Sequence, residues 1–216
     1  MSEPETVVLV HGLWVHGVVM TVLARRIASC GFCVANYSYP TVRLTLSENS
    51  ERLARFCASI AGNGGKLHFV GHSLGAILVA RLLMDNPRFT VGRAVLLAPP
   101  FNDTYAGRRL ASVAAGRAAI GRSVGEWLAG ERACDLAQHD VGVIAGRVSL
   151  GLGRVIAPGL PAPNDGTITV EETRAPGIRD HIVLPVSHSA MVFSRDVARE
   201  VCAFLREGQF DHRKAH

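Results

Sequence analysis

Gly71-His72-Ser73-Leu74-Gly75 is the stretch of this 216-residue chain whose residue types and spacing speak most directly to chemistry. It follows the apolar run Leu67-His68-Phe69-Val70 and precedes Ala76-Ile77-Leu78-Val79, which suits a helix. G-x-S-x-G between a strand and a helix describes a turn so tight that glycine is needed on both sides of the serine, because the two backbones pass each other closely. The hydroxyl is thereby pushed up at the helix N-terminus, where backbone N–H groups face a developing negative charge. A pattern with three fixed positions recurs by chance, but the flanking strand and helix patterns single this instance out. Ser73 is the candidate nucleophile, against the plain alternative of an ordinary strand-to-helix turn.

A serine hydroxyl is a poor nucleophile alone and needs a histidine to take its proton and return it to the leaving group. Nine histidines compete. His188 lies between the apolar run Ile182–Val186 and a helical pattern that starts at Ser194, while His181 stands at the opening of that run and so at its far end. His72 adjoins Ser73 and should point elsewhere, and His11 belongs to a His-Gly turn. His16, His68, His139, His212 and His216 read as satisfied or exposed polar residues. The histidine in turn needs a carboxylate to fix its tautomer and stabilise the imidazolium. Asp165 sits in Pro163-Asn164-Asp165-Gly166-Thr167, a sharp-turn composition that can present a side chain at the end of a sheet. Asp103 is the main alternative, followed by Asp135, Asp140, Asp180, Glu171 and Glu172.

The elements that must position these groups alternate along the chain. Apolar runs read as buried strands at Thr6–Val10, Cys33–Ser38, Leu67–Val70, Arg93–Ala98, Val141–Ala145 and Ile182–Val186. Helical patterns fall at Val18–Cys30, at a segment capped by Ser47 or Asn49 and carrying Leu53, Phe56, Cys57 and Ile60, at Leu74–Met84, and at Ser194–Leu205. Gly62-Asn63-Gly64-Gly65 ends the second of these. The Ala-, Gly- and Arg-rich stretch from Phe101 to about Asp140 reads as one or two helices lying over the sheet. Strand-helix alternation implies one doubly wound α/β domain over residues 1–216, with a mostly parallel sheet and helices on both faces. Its reactive groups belong at the C-terminal ends of the strands.

With Val7-Val8-Leu9-Val10-His11-Gly12, Gly71-His72-Ser73-Leu74-Gly75 and Val186-Ser187-His188 in this order, the chain resembles the α/β-hydrolase superfamily, in particular small bacterial lipases and esterases without a large cap domain. The resemblance implies a triad in the order Ser73, Asp165, His188. It also implies an oxyanion hole from two backbone amides, those of Leu74 and of Leu13, with Gly12 allowing the turn that aims the second. Trp14 would then stand beside the acyl group as a substrate contact. The implied activity is hydrolysis of a carboxylic ester through an acyl-serine intermediate, without cofactor or metal. A thioesterase, amidase or acyltransferase would keep the same residues, and a non-catalytic binding protein on this fold would be expected to have lost one of them.

Composition narrows the partners. The formal net charge of +5 is nearly all arginine, spread along the chain without a basic run, which argues against nucleic acid. No His, Cys, Asp and Glu set shows metal-ligand spacing. The charge-free stretch Thr6–Ala24 is interrupted by His11, Gly12, His16 and Gly17 and does not read as a membrane span. Leu110–Leu128 mixes apolar residues with arginines, so peripheral lipid contact stays open beside the plainer reading of a helix packed on the sheet. Cys30, Cys33, Cys57, Cys134 and Cys202 are odd in number and read as buried, inert thiols, not as a redox pair at Cys30-Gly31-Phe32-Cys33. Together with an acidic opening, Ser2-Glu3-Pro4-Glu5, that makes the cytoplasm the expected compartment.

Overall fold

The computed structural model describes residues 5–61, 66–86, 91–102, 104–130, 135–151 and 157–214. Six parallel strands form one sheet: β1 (Thr6–Val10), β2 (Cys33–Tyr37), β3 (Leu67–His72), β4 (Val91–Leu97), β5 (Asp140–Gly146) and β6 (Asp180–Leu184), in the spatial order β2-β1-β3-β4-β5-β6. The chain leaves β1 toward one edge and then works from β3 toward the other. The winding direction therefore reverses between β1 and β3, which pair with Val10 opposite Gly71. In doubly wound sheets a cleft opens at the strand C-termini on either side of such a reversal.

Six α-helices are described: α1 (Thr21–Ser29), α2 (Leu46–Ile60), α3 (Leu74–Asp85), α4 (Tyr105–Ala111), α5 (Ala114–Ala129) and α6 (Arg195–Glu207). Alternate residues of the central strands β1, β3, β4 and β5 feed two cores. Val7 and Leu9 face the core shared with Leu23 and Ile27 of α1 and Val201 and Phe204 of α6, whereas Val8 and Val10 face Leu53 of α2, Ile77 of α3 and Trp127 of α5. This period of two is what a strand imposes. It explains why β1 and β3 read as continuous apolar runs, being buried on both sides. Each such aliphatic side chain contributes about 1.5–3 kcal/mol relative to exposure.

Several expected boundaries move. The first helical pattern opens as a 3-10 turn, Gly17–Met20, before α1. β6 ends at Leu184, two residues short of expectation, because the Val186 amide turns back to the Leu184 carbonyl. The cap of α2 is Thr45, not Ser47 or Asn49. Thr45 accepts from the Glu48 amide and the Glu48 carboxylate reaches back to the Thr45 amide, a reciprocal cap. Ser47 instead donates to Glu126, and Asn49 donates to Ser123 inside the α2–α5 contact. The Gly62–Gly65 breaker lies outside the described residues.

The cysteines also depart from expectation. Cys30 and Cys202 form a disulfide between the end of α1 and α6, Cys33 is exposed at the start of β2, and Cys57 is buried. Cys134 lies outside the described residues. Disulfides persist in oxidising compartments, so cysteine count no longer argues for the cytoplasm. Among the described residues no helix is long and apolar enough to cross a membrane.

Candidate active site

β3 runs into α3 through Ser73, whose φ of 55° and ψ of −120° lie in a region costly for a residue with a Cβ, of the order of 1–3 kcal/mol. The glycines on either side explain how the strain is tolerated. A Cβ on Gly75 would lie 2.3 Å from the Val10 carbonyl oxygen, and one on Gly71 would lie 2.6 Å from the Ala76 Cα, so no other residue lets α3 pass this close to β1 and β3. The Ser73 amide donates to the Leu97 carbonyl at 2.8 Å, but its hydroxyl makes no capping bond to α3. The hydroxyl is left for other work at the N-terminus of a helix.

The loop after β1 abuts this turn, since a Cβ on Gly12 would lie 3.2 Å from that of Ser73. His11 sets the plane of the next peptide: its Nδ1–H donates to the Gly12 carbonyl at 2.9 Å, and its Nε2 accepts from the Tyr39 amide. Carbonyl and N–H point oppositely in a trans peptide, so holding the Gly12 oxygen also fixes the direction of the Leu13 N–H. Tyr39 stacks on the His11 ring at 4.7 Å and donates its hydroxyl to the His11 carbonyl. Burial, opposed by the Gly12 bond, lowers the His11 pKa and favours the neutral ring this arrangement needs. Leu13 and Leu74 both line the cavity at Ser73.

Asp165 and His188 meet as the sequence suggests. Asn164 and Thr169 bridge an antiparallel turn, inside which the Thr167 and Ile168 amides donate to one Asp165 oxygen, at 2.9 and 2.7 Å. The other oxygen takes the Nδ1–H of His188 at 2.7 Å, and the His188 amide donates to the Asp165 carbonyl. Burial alone would push the Asp165 carboxyl up. The His188 ring and the two amides outweigh it and hold the pKa below the usual carboxylate range, so the group stays ionised. With Nδ1 occupied, Nε2 is the nitrogen of His188 left to exchange a proton. Ser73 and His188 line one cavity, although no hydrogen bond joins them among the described contacts.

That cavity holds about 390 Å³, within the roughly 300–1,000 Å³ of small-molecule sites. One wall is Ile77, Leu110, Ile120, Val124 and Trp127; the other includes Val15, Val19, Val192 and Phe193. Among the described residues no Asp, Glu, Lys or Arg lines it. The Trp127 indole donates to the Pro100 carbonyl, which satisfies its one polar atom and leaves its apolar face to the cavity.

The sequence matches the alpha/beta hydrolase family over residues 7–200. The chain belongs to that family. Among solved structures, this hydrolase is similar to a Bacillus licheniformis lipase in its mature form, with a TM-score of 0.77, 18% identity, and coverage of 96% of this chain and 93% of that one. It is also similar to a metagenomic carboxyl esterase, with a TM-score of 0.65, 18% identity, and coverage of 88% and 66%. A phospholipase from Legionella pneumophila aligns with a TM-score of 0.70, 14% identity, and coverage of 99% and 61%. At these identities the likeness is one of fold. A search of the curated proteins returned no match.

The other candidates lie elsewhere in the hydrolase. His181 is the second residue of β6, and its Nε2–H donates to the Thr173 hydroxyl, whose own proton goes to the Val170 carbonyl. Asp140 pairs with Arg179 at the N-terminal end of β5, Asp180 holds His212, and Glu171 pairs with Arg174. Asp135 accepts from the Ala137 amide. Glu172 is buried but accepts from the Thr169 and Tyr105 amides, tying the Asp165 turn to α4. Asp103 and His216 lie outside the described residues. Trp14 does line the cavity, yet it is 48% exposed at the rim.

Two contributors escaped the sequence reading. His72 does not point away from the site: its Nε2–H donates to the His188 carbonyl at 3.1 Å, with the two rings 4.8 Å apart. Burial drives its pKa down to about 3, with the neighbouring His188 adding to the effect, so it holds the His188 loop as a neutral donor. The other is the Tyr39 clamp on His11. Neither is legible in a sequence, because an aromatic beside a strand end reads as core.

Proposed function

We propose that this hydrolase cleaves neutral carboxylic esters through an acyl-serine intermediate, with Ser73 as nucleophile, His188 as base and Asp165 as its orienting carboxylate. The observation that carries the reading is the strained, uncapped Ser73 sharing one apolar cavity with a histidine whose Nδ1 is held by a buried, ionised aspartate. In this scheme His188 Nε2 takes the Ser73 proton as Oγ attacks the ester carbonyl. The tetrahedral oxyanion accepts from the Leu13 and Leu74 amides. Collapse expels the alcohol, which receives the proton from His188. Water, deprotonated by the same ring, then releases the carboxylic acid and restores Ser73.

The cavity supports the substrate class. Its walls are mostly hydrocarbon, and among the described residues no Asp, Glu, Lys or Arg lines them, so burying an ionised group there without a partner would carry a large desolvation cost, whereas an aliphatic acyl chain gains by leaving water. A small-molecule ester is therefore the proposed substrate. Peripheral lipid contact would come through the exposed arginines Arg108, Arg109, Arg117 and Arg122 of the α4–α5 region.

The test is Ser73→Ala, assayed on p-nitrophenyl esters and with a fluorophosphonate probe. Hydrolysis and labelling should both disappear while Tm is retained, because the hydroxyl makes no capping bond to α3. Labelling of the Ser73→Ala protein at another serine would overturn the assignment.

A further inference from the structure

Trp14 follows Leu13 and has a φ of 62°, a conformation that a bulky L-residue avoids. Burial does not enforce it, because the side chain is nearly half exposed. Two hydrogen bonds do. Its amide reaches the Thr41 hydroxyl at 3.4 Å, and its indole Nε1–H donates to the Ala119 carbonyl at 2.8 Å.

The acceptor is there because α5 is broken. Gly121, at φ 71° and ψ −170°, interrupts the helix, and a Cβ at this position would lie 2.4 Å from the Val42 carbonyl oxygen. The Arg122 amide turns to that Val42 carbonyl. Ala119 thus lies in the last turn before the break, where carbonyls lack a partner four residues on. Beyond the break α5 is fastened to α2 and the segment before it through Ser123 and Glu126. Before the break, α4 and the first half of α5 supply Leu110 and Ile120 to the cavity wall.

We propose that Trp14 is a positioning residue whose indole clamps the loop carrying the Leu13 amide to this cap segment. The cap wall of the cavity and the oxyanion loop would then be held in one register. The inference rests on the reading of Leu13 as an oxyanion donor. His11 fixes the peptide before Leu13, and Trp14 fixes the backbone after it, so the donor is held from both flanks. A glycine would adopt this backbone without strain, so a tryptophan in its place points to a task for the ring N–H.

The experiment compares Trp14→Phe and Trp14→Gly with the parent enzyme on p-nitrophenyl acetate and octanoate, together with Tm. Phe keeps the aromatic surface and loses only the donor; Gly also relieves the backbone. We expect kcat to fall at least tenfold for both esters in both variants, with KM within twofold, while Tm of the glycine variant is unchanged or raised. A loss confined to the octanoate, or seen in KM alone, would make Trp14 a substrate contact and sink the clamp, as would unchanged kcat in either variant. Ser73→Ala is run in parallel: if that protein still turns over, the ester-hydrolase reading fails itself, whereas an inactive Ser73→Ala beside fully active Trp14 variants removes only the clamp.

Discussion

Ser73 carries backbone strain that its neighbours have to hold in place, and Asp165 is the opposite case, a residue with every polar atom satisfied. One oxygen of Asp165 is filled by two turn amides, and the other is left for His188 Nδ1 alone. Asp165→Asn keeps the shape but places an amide where only an acceptor serves, so it favours the wrong histidine tautomer. In triads of this kind such a change costs about 10⁴ in kcat. The expected result is a kcat loss of several orders of magnitude with little change in KM, read on the acetyl ester; a loss below tenfold would mean the carboxylate comes from elsewhere. Asp165 itself, held below the ordinary carboxylate range, stays ionised at neutral pH.

At the scale of elements, what was legible and what was not divide on locality. Strands buried on both faces announce themselves as apolar runs, and the Gly71 and Gly75 spacing fixes the β3–α3 turn because the steric demand is local. The Asp165 turn was legible for the same reason, through Asn164 and Gly166. The break at Gly121 was not, since its cause is the Val42 carbonyl some eighty residues upstream, and the Thr45 cap was missed because Ser47 and Asn49 are engaged by α5. The broken α5 makes Ile120 a wall residue, which gives a test. Ile120→Trp fills the cap side of the cavity, so kcat/KM for octanoate should fall more than tenfold relative to acetate. Equal effects on both esters would place the acyl chain along the Val192 and Phe193 wall instead.

Over the whole molecule, two properties follow from pairs far apart in sequence. The Cys30–Cys202 bond closes a long loop, with a sequence separation of 172. In the chain-entropy picture a bridge of this span contributes several kcal/mol, typically about 2–4. Reductant should therefore lower Tm, and alkylation of the unreduced native protein should modify Cys33 but spare Cys57, whose thiol is pushed up to about 12 by burial. An unchanged Tm in reductant would show that the bond adds nothing to the fold.

Acid stability is the second. His11, His68, His72 and His181 all have pKa values lowered chiefly by burial, His72 to about 3. An unfolded histidine takes its proton near pH 6.5, so between that value and the lowered ones the unfolded chain binds more protons than the native state, and stability must rise with pH there. It is present in full above about pH 6.5 and is lost progressively as pH falls toward 3. Tm measured from pH 7 to pH 4 should drop steeply. His72→Asn keeps a side-chain N–H donor and removes the titration, so the parent should lose more Tm than the variant as the medium is acidified, whatever their difference at pH 7. Parallel curves for the two proteins would mean that His72 protonates without opening the fold. The loop that carries His188 would then not depend on a neutral ring beneath it.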